Sequence, residues 1–309
     1  MIVVFGTLNV DVVMATSRLP APGEGVKGDA HALLPGGKGG NQALAAARAG
    51  ARVTMVGAVG RDAFAEIALA DLGDAGIDLT AVVRSDRPTG LQAIAVDPSG
   101  EKIMIGSNGA NGDAEAALPA LATRLSPDAI LLVQTSIGAT VAAAAVEAAR
   151  SAGARVVLTA TTPPPEAVLD AVDLLLVNRP EAAALARAAV LPDAPAALAR
   201  ALAARHAATV VVTLGADGLV AATPDGTLLV AAPPPISVAD TTGAGDARAE
   251  AVAAALDRGA DLATALAEGL AAGALACRKI GARSSFAGAE EIRRAAARIV
   301  VDRVPGVAS

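Results

Sequence analysis

The sequence predicts an α/β protein in which a doubly wound, mostly parallel sheet is accompanied by a small β-sheet lid. Short runs of β-branched residues alternate with longer Ala- and Leu-rich stretches, and the short runs are almost continuously apolar. Strands have this composition when helices cover both faces of a parallel sheet. Two segments rich in Gly and Pro interrupt the alternation, and they provide the residues of the lid.

The individual elements follow from the length and period of each apolar run. We predict strands over residues 2–6, 53–59, 129–134, 155–159, 173–177, 208–213 and 236–239. We predict helices over residues 41–49, 63–72, 141–150, 181–188, 194–204, 246–257 and 262–277. Residues 219–232 contain two short apolar runs around Pro224-Asp225-Gly226, a pattern that indicates a β-hairpin.

The lid is predicted from residues 12–35 and 88–108, which contain extended runs and no clear helical period. Insertions of this kind in an open α/β sheet can pair with each other and cover a site. Two independent surface loops are the alternative interpretation. We expect the whole chain, residues 1–309, to form one domain.

Composition and charge exclude several classes of protein. The 309 residues are 53% hydrophobic with a net charge of −6, and no basic stripe with interleaved aromatics occurs, so a disordered chain and a nucleic-acid partner are both disfavoured. No apolar stretch reaches the roughly 18 residues of a membrane span, and the N-terminus lacks the basic flank of a secretory signal, so we expect a cytoplasmic protein. One cysteine and two histidines exclude a Cys/His zinc site and leave little for a Ser-His-Asp triad. We expect that cysteine, Cys277, to be a buried small apolar residue.

Polar residues follow four of the predicted strands, where the ligand site of an open α/β sheet lies. They are Asn9 and Asp11, Asn178 and Glu181, Thr213 and Gly215, and Asp240. Each residue alone could be a turn-former. Their recurrence at four strand ends favours a shared cleft.

Two glycine-rich turns stand out. The run Asp-Thr-Thr-Gly-Ala-Gly-Asp at residues 240–246 precedes an Ala-rich helix, so its amides and the helix dipole could bind an anion while Asp246 accepts a proton. A helix N-cap is the alternative role for Asp246. The run Gly-Gly-Lys-Gly-Gly-Asn at residues 36–41 is not a Walker A loop, because Gly39 stands where Ser or Thr is needed. Neither turn completes G-x-G-x-x-G, so a dinucleotide fold has weak support, and Lys38 and Asn41 suit a polyhydroxylated ligand, although the turn could also be only a hinge.

Together these motifs resemble the ribokinase, or PfkB, family of carbohydrate kinases over nearly the whole chain. The N-terminal signature matches residues 36–41 with Gly50 and Gly60, and the C-terminal signature matches residues 240–246. Between them lie Asn178-x-x-Glu181, Thr213-Leu214-Gly215 and Gly109-Ala110-Asn111, the last typical of the ribokinase branch. The resemblance implies a doubly wound α/β domain whose lid also forms a homodimer interface.

The resemblance also implies transfer of the ATP γ-phosphoryl group to a sugar hydroxymethyl, with Mg²⁺ and K⁺. Asp246 would take the hydroxyl proton, and the amides of Gly243, Ala244, Gly245 and Asp246 would form the anion hole. The sugar would be bound by Asn9, Asp11, Gly37, Lys38 and Asn41. The Mg²⁺ and phosphate side would use Asn178 and Glu181, and the nucleotide pocket would use Thr213, Gly215 and Gly218. The monovalent-cation site would use Asp240, Thr242, Ala276, Gly281 and Ser285.

Some positions depart from the family pattern. Ser136 stands where ribokinases have a glutamate that contacts ribose, which puts ribose itself in doubt. Residues 159–163 replace an Asn-Pro-Ala-Pro run, and Leu270 replaces the Asn or His that faces adenine.

The helix after Asp246 departs further, because it contains Arg248 and Glu250 where the family has Phe and small residues. Asp246 and Glu250 share one helix face, and Arg248 points elsewhere. A buried arginine needs a partner. Either this helix is more exposed than usual, or Arg248 pairs with an acid that the sequence does not identify.

Three functional hypotheses remain open. The leading one is an ATP-dependent kinase for a pentose or related sugar. A nucleoside is the second acceptor class, although three phenylalanines offer little for stacking a base. A non-catalytic sugar- or nucleotide-binding relative is the third, and the intact turn at residues 243–246 counts against it.

Overall fold

The computed structural model describes residues 1–305 and contains two β-sheets. Its strands are β1 (Ile2–Phe5), β2 (Asn9–Thr16), β3 (Gly28–Gly36), β4 (Val53–Val59), β5 (Asp78–Arg84), β6 (Gly90–Val96), β7 (Lys102–Ser107), β8 (Ile130–Gln134), β9 (Arg155–Thr159), β10 (Leu174–Asn178), β11 (Thr209–Thr213), β12 (Leu219–Ala222), β13 (Leu228–Ala231) and β14 (Val301–Val304). Its helices are α1 (Lys38–Arg48), α2 (Ala63–Asp74), α3 (Leu118–Ala122), α4 (Ala139–Ser151), α5 (Glu166–Leu169), α6 (Arg179–Ala189), α7 (Pro195–His206), α8 (Ala244–Asp257), α9 (Leu262–Ala276) and α10 (Ala289–Ala296). Over these residues, no helix has both the length and the apolar character required to cross a bilayer.

The large sheet has ten strands in the order β14-β13-β12-β11-β10-β9-β8-β1-β4-β5. The strands from β11 to β5 pair in parallel, and β12, β13 and β14 extend the β11 edge in antiparallel pairing. Alternate residues of β1 face opposite layers: Ile2 and Val4 pack with α8 and α9, whereas Val3 and Phe5 pack with α4. The predicted doubly wound sheet is therefore confirmed, since both faces are covered by helices.

The small sheet has the strand order β3-β2-β6-β7. Strands β2 and β3 pair antiparallel, as do β6 and β7, and β2 pairs with β6 in parallel. The two inserted segments thus pair with each other, which confirms the predicted small sheet and rejects two independent loops. We call these four strands the lid.

The side chain of Asn111 connects the lid to the large sheet. Its Oδ1 accepts the Leu8 N–H at 2.9 Å, and its Nδ2 donates to the Leu8 carbonyl at 3.1 Å and to Asn9 Oδ1 at 2.7 Å. Leu8 lies in the short link between β1 and β2, so one buried amide satisfies both backbone groups of that link. This contact gives the Gly-Ala-Asn run a structural role.

Several sequence predictions need correction. Residues 236–239 form no strand, because Pro233-Pro234-Pro235 precedes them and proline offers no donor for a ladder. The extended chain there makes its backbone contact with helix α9 instead, through Ala239 N–H and the Cys277 carbonyl at 2.8 Å. Strands β5 and β14 were not predicted; both lie at the edges of the large sheet and contain several polar residues, so neither is a continuous apolar run.

We predict that Asn111→Ala lowers the free energy of unfolding by about 2–4 kcal/mol, because it leaves a buried N–H and a buried carbonyl of Leu8 without partners. Urea denaturation followed by circular dichroism measures the change. The exposed neighbour Asn108 makes no side-chain hydrogen bond in the described structure, so Asn108→Ala is the control and should change stability by less than about 0.5 kcal/mol. Equal stability of the two variants would contradict the assigned role of Asn111.

Candidate functional site

A cavity of about 240 Å³ lies at the carboxyl ends of strands β9, β10 and β11. Seven of the predicted site residues line it: Lys38, Asn178, Glu181, Thr213, Gly243, Gly245 and Asp246. The parallel strands bring these residues together because their carboxyl ends all meet at one edge of the sheet. We call this the first cavity.

A second, larger cavity of about 800 Å³ adjoins the first. The proline run at residues 233–235 forms one wall. Gly273 and Ala274 of α9, together with Cys277 directly after that helix, form another. Thr213 and Gly215 of the predicted nucleotide pocket also line it. The two cavities share four lining residues: Asn178, Thr213, Gly245 and Arg248.

Asp246 lies in the first turn of α8 and is half-buried. Burial raises the pKa of its carboxyl, while Lys38, a 3.5 Å hydrogen bond from Asn41 Nδ2 and Arg283 oppose that rise. The helix N-cap is Gly243, with φ 78°, so the alternative of Asp246 as the N-cap residue is wrong. A half-buried carboxylate of raised pKa beside a cation is suited to accept a proton.

The backbone amides before Asp246 are not equivalent. The Ala244 N–H donates to the Thr241 carbonyl at 3.2 Å, and Ala244 lines the second cavity rather than the first. The N–H groups of Gly245 and Asp246 have no carbonyl acceptor within the described residues. With the positive end of the α8 dipole, these two amides form the part of the turn that is free to bind an anion.

Four predicted sugar-binding residues do not line the first cavity but lie at the lid and the start of α1: Asn9, Asp11, Gly37 and Asn41. Gly37 has φ 86°, and a Cβ there would lie 2.6 Å from the Thr7 carbonyl oxygen, so only glycine fits. Burial raises the pKa of Asp11, against the opposing charge of Arg283. Of the four, Asn41 contacts the lining of the first cavity, through its hydrogen bond to Asp246.

Arg283 is a site residue that the sequence analysis missed. Its guanidinium is buried, donating from Nε to Asn41 Oδ1 at 3.0 Å and from Nη2 to the Gly36 carbonyl at 2.8 Å, and it pairs with Asp71. Burial lowers its pKa, while Asp71 opposes this most strongly. The sequence feature that could have identified it is the position of Arg283 between small residues in the loop at residues 276–285.

Asn178 and Glu181 form a capping box at the start of α6. Asn178 Oδ1 accepts the Glu181 N–H at 2.9 Å, and Glu181 Oε2 accepts the Asn178 N–H at 2.8 Å. Burial raises the pKa of Glu181, and neighbouring Asp246 adds to this, while Lys38 and the Asn178 N–H oppose it. The motif thus begins a helix and at the same time directs a carboxylate toward the first cavity.

Part of the predicted cation loop is assembled around Asp240. Thr242 N–H and Gly281 N–H donate to its two carboxylate oxygens, each at 2.9 Å. Ala276 contributes a carbonyl that accepts the Lys279 N–H at 3.3 Å, whereas the Ser285 hydroxyl donates to the Ala282 carbonyl. Within residues 1–305, no cluster of three His, Cys, Asp or Glu side chains is placed to bind a metal.

Three residues differ in position from what the sequence suggests. Gly218 does not line the second cavity, because it packs against the Ala231 carbonyl of the hairpin, and its part in nucleotide binding stays a prediction. Leu270 does not face that cavity either; it is fully buried in the core between the large sheet and its helices. Cys277 is not fully buried but is partly exposed at the cavity wall.

Arg248 and Glu250, the two residues of α8 that depart from the family pattern, are both buried. The helix is therefore not more exposed than usual, and no acid pairs with Arg248 in the described structure. Arg248 is 9% exposed and Glu250 is fully buried. Arg248 Nε and both carboxylate oxygens of Glu250 have no hydrogen-bond partner in the described structure. Burial raises the pKa of Glu250 well above its usual value, and Asp246 adds to the rise. Full burial without a hydrogen-bond partner therefore favours the protonated, neutral form of Glu250.

Comparison with known proteins places this arrangement among carbohydrate kinases. The model of the pfkB family carbohydrate kinases matches residues 1–287. A ribokinase of Schizosaccharomyces pombe is 31% identical, with 92% of this chain and 94% of the relative covered. The crystal structure of a Thermotoga maritima ribokinase matches with a TM-score of 0.85 at 27% identity, over 95% of this chain and 98% of that one. An Arabidopsis thaliana ribokinase, solved with ribose and ATP, matches with a TM-score of 0.84 at 28% identity, over 96% and 98% of the two chains.

We predict that Glu250→Gln stabilises the protein at neutral and alkaline pH. The folded state binds a proton at Glu250 more tightly than the unfolded state, so stability falls as the pH rises from the unfolded-state pKa toward the raised folded-state pKa. The amide removes this loss. The variant should gain more than about 1 kcal/mol over the wild type at pH 8 and match it near pH 4.

Urea denaturation at a series of pH values measures this difference. Exposed Glu147 on α4 provides the control, and Glu147→Gln should follow the wild type at every pH. If Glu250→Gln and the wild type show the same dependence of unfolding free energy on pH, folding does not raise the pKa of Glu250, and the prediction is contradicted.

Proposed function

The chain belongs to the pfkB family of carbohydrate kinases, and we propose that it transfers the γ-phosphoryl group of ATP to the hydroxymethyl group of ribose or a related small sugar. The observation that carries this proposal is the position of Asp246 at the free amides of a helix N-terminus, where two adjoining cavities meet. One cavity is small and polar at the acid, and the other is large enough for a nucleotide base and ribose.

Asp246 is proposed as the base that takes the proton of the attacking hydroxyl. Its burial favours proton uptake, and Asn41 orients one carboxylate oxygen through the 3.5 Å hydrogen bond. Arg283 fixes Asn41 from the other side. The sugar would lie against the lid, within reach of Asn9, Asp11, Gly37, Lys38 and Asn41.

The free N–H groups of Gly245 and Asp246 are proposed to stabilise the charge that develops on the transferred phosphoryl group. Lys38 adds a positive charge at the same cavity. Gly243 permits the left-handed turn that presents these amides. Ala244 contributes less than the sequence analysis proposed, since its N–H is already bonded to Thr241.

The nucleotide is proposed to occupy the second cavity, with Thr213 and Gly215 at its wall. Mg²⁺ would neutralise phosphate charge, and it is bound in such sites by few protein ligands together with phosphates and waters. Asn178 and Glu181 fit that requirement, because Glu181 retains a carboxylate oxygen free of the capping box. K⁺ would lie near Asp240, where a carboxylate, Thr242 and the carbonyls of the 276–285 loop supply oxygen ligands.

The acceptor is proposed to be a sugar, and ribose is the first to test because several relatives are named ribokinase. Ser136 is exposed, bonded to Gln134 Oε1 at 3.3 Å, and lines neither cavity. A sugar related to ribose is therefore the second choice. A nucleoside acceptor has no structural support: none of the three phenylalanines lines either cavity.

A homodimer formed through the lid, in the cytoplasm, completes the proposal. The lid exposes large apolar side chains, namely Met14, Leu33, Leu34, Ile103, Met104 and Ile105. Apolar patches of this kind mark protein–protein contacts. The single-domain assignment stays a prediction, and residues 306–309 lie outside the described residues.

We predict that Asp246→Asn lowers kcat by about 10²- to 10⁴-fold, because the amide cannot take the hydroxyl proton. ADP release from ATP and Mg²⁺, measured across sugars and nucleosides with and without K⁺, gives the rates. The variant should still bind ATP and the sugar in calorimetry. Asp193→Asn, at an exposed position before α7, is the control and should keep wild-type activity.

The outcomes separate the hypotheses. Turnover of one sugar that Asp246→Asn abolishes supports the kinase and identifies its acceptor. Phosphorylation of nucleosides but not of sugars would show that the acceptor is a nucleoside. Wild-type protein that binds ATP and a sugar without any turnover is a binding protein, and a fully active Asp246→Asn variant places the base elsewhere.

We predict that Ile105→Glu converts the dimer to a monomer, because Ile105 is 70% exposed on the lid and a charge there opposes burial against a second copy. Light scattering coupled to size-exclusion chromatography measures the mass at several concentrations. Val190 is 91% exposed but lies outside the lid, so Val190→Glu should remain dimeric. A wild-type monomer, or a dimer that Ile105→Glu leaves intact, would reject the lid interface.

A further inference from the structure

Arg248 is a buried cation that no residue of the described chain neutralises. It is 9% exposed, and its Nε has no hydrogen-bond partner. The other buried arginine of the described chain, Arg283, pairs with Asp71. An unpaired buried guanidinium costs several kcal/mol. A fold that retains one therefore has a use for its charge in the presence of a ligand.

The guanidinium lies where the two cavities meet. Arg248 lines both of them, together with Asn178, Thr213 and Gly245. Helix α9 leaves room for it at Gly273, where a Cβ would lie 3.1 Å from Arg248 Nε and 3.3 Å from Nη2. Cys277, one turn further along, faces the same guanidinium. The side chain thus lies on the α9 side of the junction and borders the open space of both cavities.

The acids nearest in sequence on α8 do not compensate this charge. Asp246 and Glu250 are each two residues away, which places them on the opposite face of the helix, toward Asn41 and the core. Neither forms an ion pair with Arg248 in the described structure. An anionic ligand entering the junction is therefore the available counter-charge.

We propose that Arg248 binds the non-transferred phosphate groups of the nucleotide. The inference rests on the proposed function, which places the nucleobase of ATP in the second cavity and the reacting phosphoryl group at Asp246 in the first. The phosphates between them must then cross the junction that Arg248 lines. Arg248 and Asp246 lie on opposite faces of α8. Arg248 therefore contacts the phosphates nearer the nucleobase, whereas the Gly245 N–H contacts the transferred phosphoryl group. Guanidinium groups bind phosphate oxygens in pairs of charge-assisted hydrogen bonds.

Calorimetry on Arg248→Met tests this assignment with ATP, ADP and adenosine as the probes. We expect affinity for ATP and ADP to fall about 10- to 100-fold, the equivalent of one or two charge-assisted hydrogen bonds. Affinity for adenosine should not change, since adenosine has no phosphate. Arg248→Lys should retain part of the ATP affinity. The KM for ATP should rise more than kcat falls, and the KM for the sugar should stay constant.

Arg155→Met is the matched control, because Arg155 begins β9 at the opposite edge of the sheet and is exposed. It should bind all three probes as the wild type does. Arg248→Phe is a second test variant that fills the same space without charge, so that a folding defect of Arg248→Met cannot decide the outcome. Removing the unpaired charge should leave the melting temperature of both variants unchanged or raised.

The results distinguish the possible failures. Wild-type protein that binds neither ATP nor ADP overturns the proposed function and this inference with it. If Arg248→Met and the wild type have the same affinity for ATP, only the proposed role of Arg248 is overturned. Equal losses for adenosine and ATP would show that Arg248 acts through packing of the second cavity, and that result also overturns the assignment.

Discussion

The site depends on one buried guanidinium, that of Arg283. It contacts three separate elements: Asn41 in α1, the Gly36 carbonyl at the end of the lid strand β3, and Asp71 in α2. A cation that leaves water needs each of these acceptors, so its burial fixes their relative positions. Asn41 is thereby placed against Asp246, and the charge of Arg283 opposes the rise in the pKa of Asp246. Arg283, in a loop nearly forty residues away in sequence, therefore influences the pKa of Asp246, the proposed proton acceptor.

Helices α8 and α9 show how small residues let charged groups exist inside this core. Both helices are mostly Ala, Gly and Leu, and they pack closely behind the large sheet. Gly273 gives Arg248 the space for its guanidinium, and burial raises the pKa of Glu250, which favours its neutral form. Two unpaired ionisable groups on one buried helix lower stability, and proteins tolerate such groups most often at functional sites. Here the two groups differ, because Arg248 reaches the cavities and Glu250 does not.

The lid shows how an insertion becomes part of a site. Strands β2 and β6 belong to different insertions and are separated by more than seventy residues, and their parallel pairing joins them into one sheet. Asn111 then bonds to both backbone groups of Leu8 and to Asn9, which fixes the base of the lid. Asn9 and Asp11 therefore lie at the start of the lid, shortly after β1 ends.

Four features could be predicted from the amino-acid sequence alone: the doubly wound sheet, the two inserted segments, the hairpin and the glycine turn that precedes Asp246. These features depend on local period, turn chemistry and composition, which are legible one segment at a time. The sequence also identified most residues of the first cavity, because strand order sends their carboxyl ends to one edge. Three features became apparent only in the folded chain: residues 236–239 are not a strand, Gly218 and Leu270 do not line the second cavity, and Arg283 contacts the site residue Asn41. Those outcomes depend on which distant groups satisfy each donor and which space each side chain fills, and neither is encoded by neighbours in the chain.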